Sequence, residues 1–452
     1  MKEHIHFVGI GGISMSGIAE LLVSRGYRVS GSDLRESSHT SRLEKLGCEI
    51  SIGHQEKNVR GADKLVISSA IPEDNVELQC ARKKDIPVLA RAEILAKLME
   101  GSQGIAVSGT HGKTTTTSMI SYVIVEAGLD PTVLLGGELA SLGGNVRPGE
   151  GEYFITEADE SDGSLLYFQP HIGVVTNLEM EHMDYYDTRQ KLHDTFTRFL
   201  DRIPDNGRAI LWAEDEALTS LIREKDDRFL TYGFNRGDIR AENIELLPFG
   251  SYYTLTYGGR ELGRINLNVP GKYNILNSLA AVAVSLYVGL SFTRIKEYLN
   301  SFSGAGRRFE KKALIDGVLI VDDYAHHPTE IRETLKAAKN TGYERIIAVF
   351  QPHRYTRTKH FFREFSYSFS DADYLILTSI YSADEKKIPE VRAEDMVPLL
   401  EKNSEVEVEY IADFPAVVDH LEKIVSPRDM VITIGAGNIY KVAEELVNRL
   451  RG

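Results

Sequence analysis

Short apolar runs alternate with longer amphipathic stretches along most of this chain. Near the N-terminus HFVGI, SMSGIAELLVSRG, YRVSGSD, LVISSAIP and VELQCARKKD follow one another between Ile5 and Leu98. Apolar strands alternating with helical patterns predict βαβ units on a parallel sheet. A second start falls at Gly104–Ser108, where an apolar strand enters the loop SGTHGKT. The apolar helix after it has Gly128 at the position that ends helices. The runs 152–157 and 171–177 predict two further strands of a sheet covered on both faces, and a long helix is expected from about Arg189 to Leu200. Residues 232–268 alternate in the manner of antiparallel strands, with Gly258-Gly259 as a hairpin signal beside the central sheet. A helix over 274–287 leads to SFSGAGRRF, whose glycines mark a boundary and a hinge. Strands VLIVDD, RIIAVFQ, YLILTSI and MVITIG, separated by helices, then form a third unit. The pattern predicts an α/β chain of three domains, 1–101, 102–304 and 305–452.

Composition narrows the class. The chain has 452 residues, of which 42% are hydrophobic and 26% charged, so it has the apolar content of a folded multidomain protein. A net charge of −14 argues against a nucleic-acid-binding surface. Two cysteines, Cys48 and Cys80, are too few for a disulfide scaffold, and they suit a reducing compartment. The longest apolar stretch, 279–290, is too short to span a bilayer, so no membrane association is expected. The first apolar run is broken by Glu3, His4 and His6 and then by Gly9, Gly11 and Gly12, unlike a secretory leader, which points to the cytoplasm.

Three stretches carry chemistry. In Gly109-Thr110-His111-Gly112-Lys113-Thr114-Thr115 a glycine loop between strand and helix aims backbone N–H groups and a helix dipole at an anion. Lys113 would reach the β and γ phosphates of a nucleotide, and the Thr114 hydroxyl would ligate Mg²⁺. The spacing departs from the strict phosphate loop because Val107 occupies its first glycine position. Glu157 and His182 each follow a strand of the same sheet, where ligands of parallel sheets sit, and they suit a divalent cation. Glu160, Asp162, Glu179 and Asp184 are expected to form a solvated acidic rim. Near the N-terminus Gly9-Ile10-Gly11-Gly12-Ile13-Ser14 opens a helix, and Asp33 ends the next strand at about the spacing of a ribose-binding acid. A nucleotide diphosphate would fit there. In the third unit Arg307-Arg308-Phe309, Asp322 to Pro328 and Gln351 to Arg357 follow a hinge or a strand, and Arg354 with Arg357 would clamp a carboxylate.

Taken in order, GIGGISMS, SSAIP, GTHGKTTTT, EADESD, TNLEMEHMD, PGKYNILN, GRRFE, DDYAHHPTE and QPHRYTRT resemble the Mur ligase family across nearly the whole chain. Within it they look most like the branch that adds the first alanine of the peptidoglycan stem peptide. The resemblance implies a Rossmann-like N-terminal domain for a UDP-sugar, a central P-loop-type ATPase domain and a Rossmann-like C-terminal domain for the amino acid. It implies ATP-dependent joining of L-alanine to the lactyl carboxylate of UDP-N-acetylmuramate, with Mg²⁺, by a monomer or weak homodimer. Lys113, Thr114, Glu157 and His182 match the family's phosphate and magnesium residues. Asn274 and Asn277 match asparagines facing adenine, Arg308 an arginine at the γ-phosphate, and Asp323 an aspartate by the ribose. Gly11, Gly12, Ser32, Asp33 and Ser69 fall at the UDP-sugar, and His327, Arg354 and Arg357, with His326 as a close competitor, at the amino acid and sugar. Several sister ligases carry a carbamylated lysine where this chain reads Thr195-Phe196-Thr197, and the alanine-adding branch lacks it as well. The nearest alternative attaches a tripeptide to the same sugar nucleotide. A nicotinamide-dependent dehydrogenase would leave the GTHGKT loop and Arg308 without a task, and a non-catalytic nucleotide switch that binds ATP and a protein partner would turn over no faster with alanine and the sugar nucleotide added.

Overall fold

The computed structural model describes residues 2–182, 185–223, 226–383 and 385–452. Asp184 of the expected acidic rim lies outside the described residues. Among those residues the strands form three sheets. The first has the order β3-β2-β1-β4-β5, built from β1 (His4–Val8), β2 (Arg28–Asp33), β3 (Glu49–Ile52), β4 (Lys64–Ile67) and β5 (Val88–Ala90). Every pairing in it is parallel. The strand order reverses between β1 and β4, and open sheets of this kind bind ligands outside the carboxyl ends at that point.

The second sheet continues from β6 (Gln103–Ser108) through β7 (Thr132–Leu139), β8 (Gly144–Arg147), β9 (Tyr153–Glu157), β10 (Ile172–Val175), β11 (Arg208–Trp212) and β12 (Phe229–Gly233). It adds β13 (Ile239–Leu247), β14 (Gly250–Tyr257) and β15 (Arg260–Leu267). Its order is β15-β14-β13-β12-β11-β10-β6-β9-β7-β8, so β6 lies between β10 and β9, both parallel to it. The segment expected to stand beside this sheet therefore belongs to it. Its first pairing is a correction to the antiparallel expectation, because β12 and β13 run parallel over Tyr232↔Ile239 and Gly233↔Arg240. Alternation reports which face a residue takes, not strand direction. Direction here is set by the loop after β12, where Glu214 accepts backbone N–H groups of Phe234 (2.9 Å), Asn235 and Arg236 (3.1 Å). Gly258 and Gly259, with φ of 55° and 77°, turn β14 into β15 as the sequence predicts.

The third sheet comprises β16 (Glu310–Ile315), β17 (Val318–Asp323), β18 (Arg345–Phe350), β19 (Tyr374–Leu377), β20 (Glu407–Tyr410) and β21 (Asp429–Ile434). Its order is β16-β17-β21-β18-β19-β20, parallel except for the edge strand β16. β17 and β21 are buried along their whole length, which is why β17 reads as an apolar run until Asp322 and Asp323.

The chain divides into two compact units, residues 1–242, 255–263 and 276–299, and residues 243–254, 264–275 and 300–452. In the first unit one core runs from Ile5 and Phe7 of β1 through Leu95 and Leu98 to Phe154 and Phe196. The helix Ile13–Ser24 packs against β7, where a Cβ added to Gly17 would come within 2.3 Å of the Leu134 side chain. The Asn145 amide donates to the Ile13 carbonyl at 2.9 Å across the same contact. In the second unit two clusters cover the faces of the third sheet, one around Phe350, Phe365 and Phe369 and the other around Val431, Val442 and Leu446. Cys48 and Cys80 are buried free thiols, and burial pushes Cys48 up to about 11. Among the described residues no helix is long and apolar enough to cross a membrane.

Gly31 of β2 sets how closely the first glycine loop approaches the sheet, because a Cβ there would lie 2.5 Å from Ile10 Cδ1 and 2.9 Å from the Phe7 carbonyl. Gly31→Ala should lower the unfolding free energy by about 1–3 kcal/mol. Urea denaturation checks this, and an unchanged midpoint would show that the loop can move aside.

Candidate functional site

The loop after β6 takes its shape from glycine and from the end of β10. Gly109 has φ 119° and Gly112 φ 80°, conformations that side chains disfavour, and Gly112 caps the helix Lys113–Glu126. At Gly112 a Cβ would also sit 2.7 Å from Asn277 Oδ1. The loop is tied down by Thr176 and Asn177. The Thr110 N–H donates to the Asn177 carbonyl at 3.1 Å and the His111 N–H to Asn177 Oδ1 at 2.9 Å. Thr176 Oγ1 and Asn177 Nδ2 donate to the His111 carbonyl at 2.6 and 2.9 Å. Neither Thr176 nor Asn177 was singled out in the sequence, although TNLE is the start of one of its motifs. Thr115, one turn into the helix, is buried.

Lys113 folds back over this loop. Its three ammonium protons meet Gly109 O at 2.6 Å, Thr110 O at 3.2 Å and Glu160 Oε1 at 2.7 Å. Burial alone would lower the ammonium's pKa, but the Glu160 and Asp159 carboxylates outweigh it and hold it above its ordinary value. Glu160 is a correction to the solvated rim expected at this run: it is 2% exposed and paired with Lys113. The cause is tertiary, since its partner stands 47 positions earlier at the mouth of the neighbouring strand. Asp162 is exposed as expected, and Glu179 is half-buried, with Oε2 3.3 Å from His111 Nε2.

Glu157 ends β9 beside the loop. Its Oε2 accepts the Thr114 hydroxyl at 3.1 Å and its Oε1 the Gly136 N–H at 2.8 Å. His182, with φ 57°, points its Nε2 to within 3.6 Å of Glu160 Oε1. The hydroxyl of Thr114, the carboxylates of Glu157 and Glu160 and the imidazole of His182 thus gather at the carboxyl ends of β6, β9 and β10. Among the described residues none donates a hydrogen bond to the buried Glu160 Oε2. Hard oxygen donors of this kind, with an orphaned carboxylate oxygen among them, fit a divalent cation. Asn277 is buried on the helix Lys272–Tyr287 and accepts the Thr116 hydroxyl at 3.1 Å.

At the N-terminal sheet the glycine loop is closed by Asp33, whose Oδ2 accepts the Gly11 N–H at 2.9 Å. Gly12 caps the helix that follows. Ser32 is fully buried at the end of β2, and its carbonyl accepts the Gly9 and Ile10 N–H groups. Ser69 is exposed in the turn after β4, at the same edge. These five residues of the sequence-based site therefore share the carboxyl rim of the first sheet.

In the second unit, Asp323 is 3% exposed and accepts Phe309 N–H at 2.7 Å, Ala325 N–H at 2.8 Å and the Thr334 hydroxyl at 3.2 Å. It thereby shapes the turn that carries Arg308. Burial pushes this carboxyl up to about 6, against the opposing pull of Arg308. Arg307, held by Asp322 and the Gly435 and Gly437 carbonyls, is a structural anchor, whereas Arg308 lies over the Tyr324 ring, 4.0 Å from Glu330. His327 caps the helix Pro328–Lys339 and is buried against Phe361, and His326 Nδ1 lies 3.0 Å from the Tyr324 carbonyl. Arg354, exposed with φ 70°, opens the helix Tyr355–His360, and Arg357 Nη1 donates to His353 Nδ1 at 3.2 Å. His353, which the sequence left unassigned, stacks on Tyr381 at 5.5 Å. Asn274 is buried and donates to the Pro270 carbonyl at 2.7 Å.

Comparison with known proteins adds a family. Models described as the Mur ligase family catalytic domain, middle domain and glutamate ligase domain match residues 4–103, 107–285 and 307–437. The UDP-N-acetylmuramate–L-alanine ligase of Geotalea daltonii is 49% identical over 450 residues, 99% of this chain and 98% of the relative. That of Pelotomaculum thermopropionicum is 46% identical over 452 residues, 100% of this chain and 98% of the relative. The structure of UDP-N-acetylmuramate-alanine ligase from Thermotoga maritima matches at TM-score 0.85 and 30% identity, covering 99% of each chain. A murein peptide ligase from Psychrobacter arcticus shares the fold at TM-score 0.72 and 22% identity, over 99% of this chain and 98% of its own.

The His353 environment sets a pH dependence. Burial first, then His326 and the guanidinium groups of Arg357, Arg354 and Arg307, push its imidazole from 6.5 down to about 3. The unfolded chain therefore binds the extra proton first, and stability present above pH 6.5 is lost as pH falls toward 3. His353→Gln should lose less unfolding free energy than the parent between pH 6.5 and pH 4. Urea titrations at the two pH values measure this, and equal losses would place the titrating group elsewhere.

Proposed function

The chain belongs to the Mur ligase family, and from that premise we propose that it joins L-alanine to the lactyl carboxylate of UDP-N-acetylmuramate, converting ATP to ADP and phosphate in peptidoglycan precursor synthesis. The observation that carries this reading is identity of 46–49% along essentially the whole chain with ligases of that name. The tripeptide-attaching alternative has weaker support, since the murein peptide ligase is 22% identical. We take 1–101, 102–304 and 305–452 as the sugar-nucleotide, ATP and amino-acid divisions.

The chemistry follows from the groups at each rim. A carboxylate is a poor electrophile, and hydroxide leaves it poorly, so it must first be activated. The lactyl carboxylate oxygen attacks the γ-phosphorus of ATP, the bond to the β–γ bridging oxygen breaks, and ADP leaves with that electron pair. The amine of alanine then attacks the acyl carbon of the acyl phosphate, phosphate departs with the former carboxylate oxygen, and the amine loses a proton. Both reactants of the first step are anions, so cations must offset their repulsion.

Lys113 supplies one such cation. To reach a γ-phosphate it exchanges Glu160 and the loop carbonyls for phosphate oxygens, and the low dielectric of its buried setting strengthens that contact. Arg308, on the turn fixed by Asp323, supplies a second. Thr114, Glu157 and His182, with Glu160 beside them, would hold Mg²⁺, which when bound neutralises phosphate charge as a Lewis acid. The Gly11–Gly12 loop, Ser32, Asp33 and Ser69 bind the UDP portion. Arg354 and Arg357 orient carboxylate at the amino-acid end, with His326 and His327 flanking them. Asn274, Asn277 and Asp323 are assigned to the nucleoside of ATP.

Phosphate release should require ATP, UDP-N-acetylmuramate and alanine together, and ¹⁸O in the lactyl carboxylate should appear in the released phosphate. Lys113→Ala should lower turnover by about 10³ or more, as expected for a lost phosphoryl-stabilising cation. Coupled ADP assays measure this, and near-normal turnover would remove Lys113 from the reaction.

A further inference from the structure

No step of the ligase reaction uses the chain of buried polar groups that crosses the N-terminal sheet. His4 and His6 stand two residues apart on β1, on one face, and Ser30 lies beside them on β2; they are 6%, 1% and 5% exposed. His4 Nδ1 lies 2.8 Å from the Gly61 carbonyl and His4 Nε2 2.8 Å from Ser30 Oγ. Ser30 Oγ is 2.7 Å from His6 Nδ1, and His6 Nε2 is 3.3 Å from Glu77 Oε2.

Counting protons along this chain gives a definite result. The Gly61 carbonyl has none to give. Glu77 is fully buried and already accepts the Ser32 hydroxyl at 2.6 Å, Asn58 Nδ2 at 2.6 Å and the Gln55 N–H at 3.0 Å. Burial alone would raise its pKa, but His6, Ser32, Asn58 and Gln55 outweigh that and hold it below the usual carboxylate range. Both ends of the chain therefore only accept. Four contacts need four protons, whereas two neutral imidazoles and one hydroxyl bring three. With three, one contact would set lone pair against lone pair in a buried layer, which is costly. The other titratable groups facing the cluster are His54, with Nδ1 3.0 Å from Ser32 Oγ and 3.7 Å from Glu77, and Asp63, which accepts the His4 N–H at 2.7 Å.

We propose that this chain holds a fourth proton, so that one imidazolium shared between His4 and His6 neutralises Glu77, and that the pair makes Glu77 a positioning residue for the sugar nucleotide. Ser32 is the penultimate residue of β2, and Gln55 and Asn58 lie in the segment after β3, so one carboxylate ties together two parts of the rim where that substrate is read. The Ser32 hydroxyl gives its only proton to Glu77 and so accepts from His54 Nδ1, which orients the partly exposed His54 ring as well. The positioning half of the proposal rests on the proposed function; the proton count does not.

The test has two arms at pH 8, where an ordinary histidine is almost wholly neutral. Long-range ¹H–¹⁵N spectra of the ligand-free protein should show one imidazolium equivalent over His4 and His6. Glu77→Gln should abolish it, because the glutamine amide can donate to His6 Nε2 and complete the four contacts with neutral rings. Two neutral rings in the parent overturn the fourth proton. In the kinetic arm Glu77→Ala, which removes the acceptor for all of these donors, should raise KM for UDP-N-acetylmuramate roughly tenfold while KM for ATP and for alanine stay within about twofold. No rise, or an equal rise for all three, overturns the positioning role. Should Glu77→Ala not fold, Asn58→Ala, which removes one donor to Glu77, carries the kinetic arm with the same criteria. Calorimetric titration of the parent with UDP-N-acetylmuramate separates this from the proposed function: absence of binding there sinks the function and leaves the spectra to decide the proton.

Discussion

A lysine ammonium taken out of water needs an acid close by, and in this protein that acid is Glu160. Around the 2.7 Å contact between them the rest of the second sheet's rim is arranged. Gly109 and Gly112 give the loop the backbone angles that let Lys113 turn inward, and Thr176 and Asn177 fasten the loop from the next strand. Glu157 closes on the Thr114 hydroxyl from the other side. The sheet order makes this possible, because β6 lies between β9 and β10 and all three end at one level. A charged side chain with every donor satisfied by its own protein is a poised group: an incoming phosphate has to replace contacts already made, so only a ligand carrying comparable negative charge can draw it out.

The N-terminal sheet uses the same economy with different residues. Asp33 serves the glycine loop and Glu77 the loops opposite, so the two acids stiffen a rim whose ligand is itself anionic. Acids bonded to backbone N–H groups organise the loops of such a site. In the second unit Asp323 does the same for the turn bearing Arg308.

Much of this was legible in the chain. The alternation of apolar runs and helical patterns foretold three largely parallel sheets, and Gly128 and the Gly258-Gly259 pair stand where the sequence put them, with φ of 76°, 55° and 77°. The lysine loop was legible because its chemistry is local: glycine, lysine and threonine within a few residues of a strand end. Glu160 was not, because an acidic run reads as solvated until the fold brings Lys113 to it. Glu77 sits in an ordinary helical stretch, and its four donors come from three separate segments. The parallel β12–β13 pairing was missed because side-chain alternation is identical in both strand directions. What sequence withholds in each case is a contact between distant positions, whereas what it discloses is a conformation or a donor set fixed by neighbours.

Gly17 carries a last consequence. With the Leu134 side chain where its Cβ would be, the first helix lies so close to β7 that the first two sheets share one core. Two rims anchored in one core keep a fixed spacing as a matter of solid-state packing and not of domain motion. A protease acting on the native chain should accordingly find no weak seam near Gly101, and calorimetry should see residues 1–101 melt together with the sheet that follows them.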